Sequence, residues 1–243
     1  MFGTENMTKE INELSIIIPA HNEEAKIELC VNEIMKFCLE QKLDYEIIIS
    51  EDGSIDNTLE IINKLAKNNP RIIVLTSDEK LGKGKAVQNG LLRSTKNYVG
   101  FMDADMSAPP KEFLRCIKYI TEYDIVIGSR IIRGNLGEIE RPFSRTLFSR
   151  FYSILFQILF NIPIKDTQCG FKLFNKEVIP KLFSNAQITG FAFDTEIIVS
   201  AFKKKISVKE VPIEWSHDYI SKVNIMREVY LMGRDIFKIR FNI

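Results

Sequence analysis

The chain runs Phe101-Met102-Asp103-Ala104-Asp105-Met106 a little before its midpoint, and we interpret this stretch as the end of a buried strand that delivers two carboxylates. Asp103 and Asp105 are one residue apart, so in extended backbone both acids lie on the same face. Two hard oxygen ligands on one face suit Mg2+ or Mn2+, which commonly bind phosphate oxygens as well. An Asp-x-Asp pair also occurs by chance, and a turn with two solvated acids is the alternative. The surrounding sequence favours the metal site.

Apolar, β-branched runs on either side of this stretch alternate with helical patterns. Strands are predicted at residues 14–19, 45–50, 71–76, 97–103 and 124–129. Between them, apolar residues recur at spacings of three and four, which is typical of helices with one buried face. This alternation predicts an α/β fold, a doubly wound and mostly parallel sheet with helices on both faces.

Polar and charged residues follow the predicted ends of these strands. They are Asp52, the loop Gly82–Lys85, Asp103, Asp105 and Arg130. The carboxyl ends of parallel strands meet at one edge of a sheet, and doubly wound folds bind their ligands there. The sequence therefore predicts an active site at this edge.

The loop Gly82-Lys83-Gly84-Lys85 is similar to a phosphate-binding P-loop in composition only. It lacks the spacing of that motif and the Lys-Ser or Lys-Thr that ends it. Its glycines would still let the backbone approach a ligand closely. A flexible solvated loop is an equally good interpretation, so the loop is only a candidate ligand contact.

The overall composition is that of an ordinary globular chain. Its 243 residues, 45% of them hydrophobic, suffice for one large domain, and we expect a flexible N-terminus at 1–13 and a single domain at 14–243. The net charge of +1 gives no indication of a nucleic-acid partner. The four cysteines lack zinc-binding spacing, which predicts free thiols in a reducing compartment. We find no signal peptide, and no apolar run reaches the roughly 18 residues of a membrane-spanning helix.

Arginines cluster from residue 130 onwards and lead into an aromatic-rich helix predicted at 143–160. They are Arg130, Arg133, Arg141, Arg145 and Arg150. Basic side chains at the front of a helix that is apolar on nearly every side are typical of a basic amphipathic helix in a membrane interface. A core helix with a charged end, or contact with a second subunit in a homo-oligomer, are the alternatives. We expect an acceptor-facing or membrane-facing region at about 130–175 and a C-terminal tail at about 215–243.

Five short motifs follow one another in order along the chain. They are Ile18-Pro19-Ala20-His21-Asn22-Glu23-Glu24, Glu51-Asp52-Gly53-Ser54, Leu81-Gly82-Lys83-Gly84, Asp103-Ala104-Asp105 and Gly128-Ser129-Arg130. Together they resemble those of the family 2 inverting glycosyltransferases, whose GT-A fold is a Rossmann-like, mostly parallel sheet. The resemblance extends over nearly the whole chain, and the ordered set is far more specific than any one motif.

Later motifs narrow the resemblance. They are Asp166–Phe174, Phe191–Glu196, Trp215 with Ser221-Lys222, and Met232–Asp235. These look like motifs of the dolichyl-phosphate β-glucosyltransferases, which move glucose from UDP-glucose to dolichyl phosphate at the cytoplasmic face of a membrane and so supply a lipid-linked sugar for protein glycosylation.

The resemblance implies roles for individual residues. The nucleotide sugar would be bound by Pro19, Ala20, His21, Glu23, Asp52, Lys83, Asp103, Ala104 and Asp105, with Asp52 accepting from the uracil ring. Mg2+ or Mn2+ would be held by Asp103 and Asp105. The acceptor phosphate would be bound by Arg130, Arg133, Arg145 and Lys222. Catalysis would involve Asp105, Asp166 and Arg130.

Transfer to a phosphate differs from transfer to a sugar hydroxyl. A phosphate monoester has a second pKa of about 6 and is mostly dianionic at pH 7, so it needs positioning by cations more than a general base. We therefore expect Asp166 to orient an arginine or to assist the attack without being an obligatory base, although a turn cap before Thr167 is the alternative. Asp194 and Glu196 are candidates either for ordering the acceptor site or for a solvated ion-pair face.

Two departures from the relatives affect the interpretation. The chain lacks the N-terminal membrane anchor of the eukaryotic members, so we expect peripheral attachment. Ser107 stands where many mannosyl relatives carry glutamine, which argues against GDP-mannose.

Other functions stay open to different degrees. UDP-N-acetylglucosamine or GDP-mannose as the donor, or a sugar hydroxyl as the acceptor, are the nearest alternatives. A nucleotidyltransferase is disfavoured because His21–Glu24 would repel a triphosphate. A non-catalytic scaffold is disfavoured because Asp103 and Asp105 are both present.

Overall fold

A computed structural model of the chain describes residues 11–132, 143–216 and 225–242, with the backbone alone at 143–150, 225–229 and 242. The strands and helices are β1 (Glu13–Ala20), α1 (Ile27–Glu40), β2 (Asp44–Glu51), α2 (Thr58–Asn68), β3 (Ile72–Leu75), α3 (Lys83–Arg93), β4 (Tyr98–Met102), α4 (Phe113–Ile120), β5 (Ile125–Ser129), α5 (Phe143–Phe160), β6 (Phe171–Asn175), α6 (Ile179–Phe183), α7 (Phe193–Lys203), β7 (Val208–Pro212) and α8 (Ile225–Asn242).

The described strands form a seven-stranded sheet in the order β3-β2-β1-β4-β6-β5-β7. β1 pairs in parallel with β2 and β4, β2 with β3, and β5 with β7. Within this sheet β6 runs antiparallel to both of its neighbours, β4 and β5. The predicted mostly parallel sheet is confirmed, and it contains two strands, β6 and β7, beyond the five predicted.

Side chains of the central strands alternate between two apolar clusters. In β1, Ile16 and Ile18 join a cluster with α1, α2 and α4, whereas Ile17 joins a cluster with α3, α6 and α7. Extended backbone produces this period of two, and helices therefore cover both faces of the sheet as predicted. All three isoleucines are fully buried, and burial of each contributes about 1.5–3 kcal/mol.

The two long helices α5 and α8 pack against each other. Phe156 of α5 and Ile236 and Ile239 of α8 reach into the cluster that contains α7. None of the helices within the described ranges is both long and apolar enough to cross a membrane.

The topology brings several loops to one edge of the sheet. All strands except β6 point the same way, so the carboxyl ends of β1, β2, β4, β5 and β7 share that edge. Because β6 is reversed, its amino end lies at the same edge, with Phe171 paired to Met102. The loop 166–170 before β6 and the segment 213–216 after β7 therefore lie beside the residues that follow β4 and β5.

Candidate active site

Asp103 and Asp105 follow β4 directly and lie at the centre of this edge. Asp105 Oδ1 accepts a hydrogen bond from the backbone N–H of Ser107 at 2.9 Å, which fixes the turn after the strand. Asp103 lies against Gly170: a Cβ on Gly170 would be 2.6 Å from Asp103 Cγ, 2.9 Å from Oδ1 and closer still to Oδ2. The bare backbone of Gly170 therefore leaves the space that the Asp103 carboxylate occupies.

Lys83, the first residue of α3, forms an ion pair with Asp103. Its Nζ is 2.7 Å from Asp103 Oδ1, a buried oxygen that has no well-directed hydrogen bond from any described residue. Burial lowers the pKa of Lys83, but the nearby carboxylates, Asp103 above all, raise it more, and the net shift is upward. Lys83 is therefore a charged ammonium beside the carboxylate pair.

The carboxylate pair fits a divalent cation. Asp103 already attracts a positive charge at an oxygen that lacks a directed donor within the described residues. Over the same ranges, no group of three or more His, Cys, Asp and Glu side chains is arranged to hold a metal. Two protein carboxylates would leave the other positions of Mg2+ or Mn2+ to phosphate oxygens and water, the usual pattern for an ion that arrives with a nucleotide. The metal role of Asp103 and Asp105 stays a prediction that the donor set suits.

Several residues predicted to bind the nucleotide sugar lie at the ends of β1 and β2. Asp52, just after β2, accepts hydrogen bonds from the backbone N–H groups of Leu81 at 2.7 Å and Gly82 at 3.0 Å. Its own carbonyl oxygen is 2.7 Å from His21 Nδ1. The buried Asp52 carboxylate therefore anchors the start of the segment Gly82–Lys85, the glycine loop. The contact of Asp52 with a uracil ring stays a prediction.

The remaining predicted donor residues lie at the same edge. Pro19 and Ala20 end β1, Ala104 lies between the two aspartates, and Glu23 lies in the loop before α1. The backbone N–H of Glu23 donates to Thr58 Oγ1 at 2.8 Å. Ala20 and Ala104 are buried, so they shape the site more than they offer polar contacts.

The glycine loop packs against the segment that precedes α7. The backbone N–H groups of Gly84 and Lys85 both donate to the carbonyl oxygen of Thr189, at 2.7 and 3.3 Å. A Cβ on Gly84 would be 2.6 Å from Phe193 Cβ. The alternative of a flexible solvated loop is therefore wrong for Gly84 and Lys85, because their backbone is paired and packed.

Arg130 and Asp166, the residues predicted for the acceptor side, contact each other. Asp166, only 2% exposed, accepts hydrogen bonds from the backbone N–H of Arg130 (2.8 Å), its Nε (2.8 Å) and its Nη2 (2.7 Å). The ring centroid of Trp215 lies 5.7 Å from Arg130 Cζ. Burial by itself lowers the pKa of Arg130, but the Asp166 carboxylate raises it by more, so the net shift is upward. The arrangement offers a fixed guanidinium at the end of β5, oriented by Asp166.

Three predicted phosphate-binding residues are not placed. Arg133 and Lys222 lie outside the described residues, and at Arg145 only the backbone of α5 is described. Their contact with an acceptor phosphate stays a prediction.

A buried ion pair beneath the site joins Lys172 of β6 to Asp194 of α7. The Lys172 side chain is fully buried, and its Nζ also donates to the carbonyl oxygen of Cys169 at 2.6 Å. Burial raises the pKa of Asp194, and Lys172 and Lys83 offset only part of that rise. The pair ties α7 to the loop that carries Asp166 and Gly170. The sequence reasoning missed Lys172, although a charge inside the apolar run 171–174 was a signal for it.

Asp194 and Glu196 are both buried, so the alternative of a solvated ion-pair face is wrong. Glu196 accepts the backbone N–H groups of Gln187 at 2.8 Å and Ile188 at 3.0 Å. Its carboxylate thereby orders the segment against which the glycine loop packs. Asp194 thus supports the loop 166–170 through Lys172, and Glu196 supports the segment before α7.

Comparison with known proteins identifies the family. Residues 15–183 match the family model Glycosyl transferase family 2. A dolichyl-phosphate beta-glucosyltransferase of Dictyostelium discoideum is 35% identical over 242 residues, covering 94% of this chain and 74% of that protein. The protein of the same name from Saccharomyces cerevisiae is 33% identical over 248 residues, covering 93% and 74%.

Solved structures agree on the fold. Mannosyl-3-phosphoglycerate synthase from Rubrobacter xylanophilus superposes with a TM-score of 0.71 at 17% identity, covering 93% of this chain and 73% of that one. Glucosyl-3-phosphoglycerate synthase from Mycobacterium tuberculosis, in complex with Mg2+ and uridine-diphosphate, also gives a TM-score of 0.71 at 17% identity, covering 96% and 80%. The predicted GT-A class is thereby confirmed. With a family match over more than half of its length and relatives above 30% identity, the chain belongs to glycosyl transferase family 2 and is a glycosyltransferase.

Proposed function

We propose that this chain transfers glucose from UDP-glucose to dolichyl phosphate or a related polyprenyl phosphate, with inversion at the sugar's C1. The names of the Dictyostelium and yeast relatives support the sugar and the acceptor. The observation that carries the acceptor class is the Asp166 carboxylate, which receives three hydrogen bonds from Arg130. Because the Asp166 carboxylate is occupied by these hydrogen bonds, it is poorly placed to act as a base. The site therefore suits an acceptor that is already ionised and needs only the positive charge of Arg130. A phosphate meets that description, whereas a sugar hydroxyl needs a base.

On the donor side, Asp103 and Asp105 would hold a divalent cation with the diphosphate of the nucleotide. The cation, when bound, neutralises the charge that develops on the departing UDP. Lys83 adds a further positive charge beside Asp103. The end of β4 therefore serves the leaving group.

The predicted donor and acceptor groups follow strands that are not adjacent in the sheet. β6 lies between β4, which carries the aspartates, and β5, which carries Arg130. Two strand spacings amount to about 9.5 Å, so the carboxylate pair and Arg130 can approach C1 of a bound sugar from different sides. Attack from the β5 side, opposite a diphosphate on the β4 side, is the geometry that inverts C1.

A transfer assay tests the proposal. Purified protein, dolichyl phosphate in detergent and Mn2+ or Mg2+ are combined separately with UDP-glucose, UDP-N-acetylglucosamine and GDP-mannose, and chloroform-extractable sugar is counted. We expect product from UDP-glucose, lost with EDTA and reduced about a hundred- to a thousandfold by Asp105→Asn, because charge stabilisation of the leaving group is lost. Asp44→Asn is the matched control, since that carboxylate pairs with Lys96 at the amino end of β2, away from the site.

Each outcome of the assay assigns or removes one part of the proposal. Product from another donor alone would replace glucose as the transferred sugar. No lipid product from any donor, while UDP still binds, would contradict the lipid-phosphate acceptor and favour a sugar hydroxyl. Equal loss in Asp44→Asn would show that the effect of Asp105→Asn reflects instability.

We further propose that α5 and α8 together contact the membrane that holds the lipid acceptor. Their exposed apolar side chains are Phe151, Ile154 and Ile158 of α5, and Tyr230, Phe237 and Phe241 of α8. Spacings of three, four and seven place each set on one face of its helix, and the two helices are neighbours. Basic residues of α8, among them Lys238 and Arg240, suit anionic headgroups. The interfacial role of residues 143–160 remains part of this proposal.

A double substitution tests the surface. Ile158 and Phe241 are 75% and 79% exposed, so Ile158→Glu with Phe241→Glu should leave the fold intact. We expect co-flotation with anionic vesicles to fall about tenfold or more, because two apolar anchors of roughly 1.5–3 kcal/mol each are replaced by charges. Leu39→Glu, at a residue of α1 that is 65% exposed, is the control and should float as the wild type does. Unchanged flotation, with dimers seen by analytical ultracentrifugation only in the wild type, would assign the surface to a second subunit.

A further inference from the structure

The glycine loop and the carboxylate pair meet at one ion pair, that of Lys83 with Asp103. The ammonium is 2.7 Å from Asp103 Oδ1, and the Lys83 side chain is 22% exposed. Its Nζ lies 5.7 Å from the ring centroid of Phe101 and 5.5 Å from that of Phe191. Lys83 therefore has its ammonium near two aromatic rings and in contact with the carboxylate.

The backbone that carries Lys83 is held on both sides. Before it, the Asp52 carboxylate accepts the N–H groups of Leu81 and Gly82. After it, the Gly84 N–H donates to the Thr189 carbonyl at 2.7 Å. A change in the position of the ammonium therefore has to come from the flexible side chain, and lysine, a point charge on a four-carbon stem, is suited to such movement.

We propose that Lys83 is a displaceable counter-ion of the carboxylate pair, which couples binding of the divalent ion to binding of the nucleotide. The inference deepens the proposed function and rests on it. A divalent ion that takes Asp103 Oδ1 has to displace the ammonium, and an ion that takes the other oxygen has to lie close to a like charge. In both cases Lys83 opposes the binding of the ion alone.

A bound diphosphate removes the opposition of Lys83 to the divalent ion. The ammonium that leaves Asp103 needs another anion, and the phosphate oxygens held at the carboxylate pair would supply charge-assisted hydrogen bonds. The nucleotide therefore offsets the free energy that the ion alone needs to displace the Lys83 ammonium from Asp103. Because coupling between two ligands is reciprocal, the ion favours the nucleotide by the same factor, commonly about 5- to 150-fold.

Calorimetric titration of Lys83→Met tests the inference without relying on turnover. Methionine keeps the length of the stem and removes the charge. Mn2+ is titrated into wild type and variant with and without UDP. We expect Mn2+ alone to bind the variant about tenfold tighter, UDP with Mn2+ to bind it more weakly, and the factor by which UDP favours Mn2+ to fall towards one.

Lys85→Met is the matched control. Lys85 lies two residues further along, in the first turn of α3, and carries the same charge, but its Nζ donates to Gln88 Oε1 at 3.0 Å. It should bind Mn2+ alone as the wild type does. Equal tightening in both variants would overturn the inference, because a general change of charge would explain it.

Two further outcomes separate this inference from the proposed function. Unchanged or weaker binding of Mn2+ alone to Lys83→Met would overturn the counter-ion role, even if UDP binding fell, because a simple diphosphate contact predicts that result. Wild-type protein that binds UDP equally with and without Mn2+ would remove the metal from the proposed function, and the inference with it.

Discussion

A Gly170→Ala variant is expected to fold normally and to lose at least about a hundredfold of its transferase activity. The new Cβ would lie 2.6 Å from Asp103 Cγ and 2.9 Å from Oδ1, which no side chain tolerates. The clash falls on the end of one side chain, so Asp103 can rotate away without a backbone shift. Gly170 does not have a positive φ, so alanine can adopt its backbone conformation. Alanine also reduces the conformational entropy of the unfolded chain, which favours folding by about 0.4–1 kcal/mol. The fold should therefore survive while Asp103 leaves the site.

Two measurements check this expectation. The melting temperature should change by no more than about 4 °C, the shift that 1 kcal/mol produces in a chain of this size. Mn2+ binding in the presence of UDP should be lost in calorimetry. Gly190→Ala is the matched control, because a Cβ on Gly190 meets no described atom within 4 Å and Mn2+ binding should persist. An active Gly170→Ala enzyme would contradict the placement of Asp103 against Gly170.

The parts of the fold that sequence patterns predicted are those set by local periodicity. The run 14–19 and its counterparts have the length and branching of strands buried on both faces, and the structure confirms them. The positions of Asp52, Asp103, Asp105 and Arg130 at one edge follow from the parallel arrangement of those strands. Each of these features is determined by residues that are close together in the sequence, so the pattern can be recognised from one sequence.

Features that depend on the reversed strand β6 escaped prediction. Lys172 is the second residue of β6 and its side chain is fully buried, and a lysine there obscures the apolar pattern of a central strand. The insertion of β6 between β4 and β5 brings Gly170 against Asp103. No spacing along the chain indicates a contact between residues so far apart. The sequence left the burial of Asp194 open for the same reason, since its partner is Lys172.

Asp166 is a residue for which the sequence predicted a kind of contact but not the partner. The expectation that Asp166 orients an arginine came from the chemistry of a phosphate acceptor, and the structure shows which arginine it contacts. Trp215, which lies in the segment after β7 and contacts Arg130, was part of a motif without an assigned contact.

Replacing Arg130 with glutamine is expected to damage both stability and activity, for separate reasons. Asp166 is 2% exposed and would keep a buried charge without its guanidinium, which costs about 3–5 kcal/mol. Arg130→Gln with Asp166→Asn removes both charges and should recover most of that free energy of unfolding. Activity should stay at least about a hundredfold low in both variants, because the acceptor phosphate has lost its cation. Urea denaturation and the dolichyl-phosphate assay measure the two quantities independently.

The single variant Asp166→Asn then distinguishes an orienting partner from a base. Arg130 remains in that variant but is held less firmly, so we expect a loss of about tenfold or more, mainly in KM for the lipid phosphate, and still less than in Asp105→Asn. The pH profile of kcat/KM should keep its rise near pH 6 in wild type and variant alike, because the group that ionises, with a pKa of about 6, is the acceptor phosphate. The sign follows from the dianion being the nucleophile, so activity grows as pH rises through that value. If the rise disappears in Asp166→Asn and kcat falls as far as in Asp105→Asn, Asp166 is a general base and the acceptor is better sought among hydroxyls.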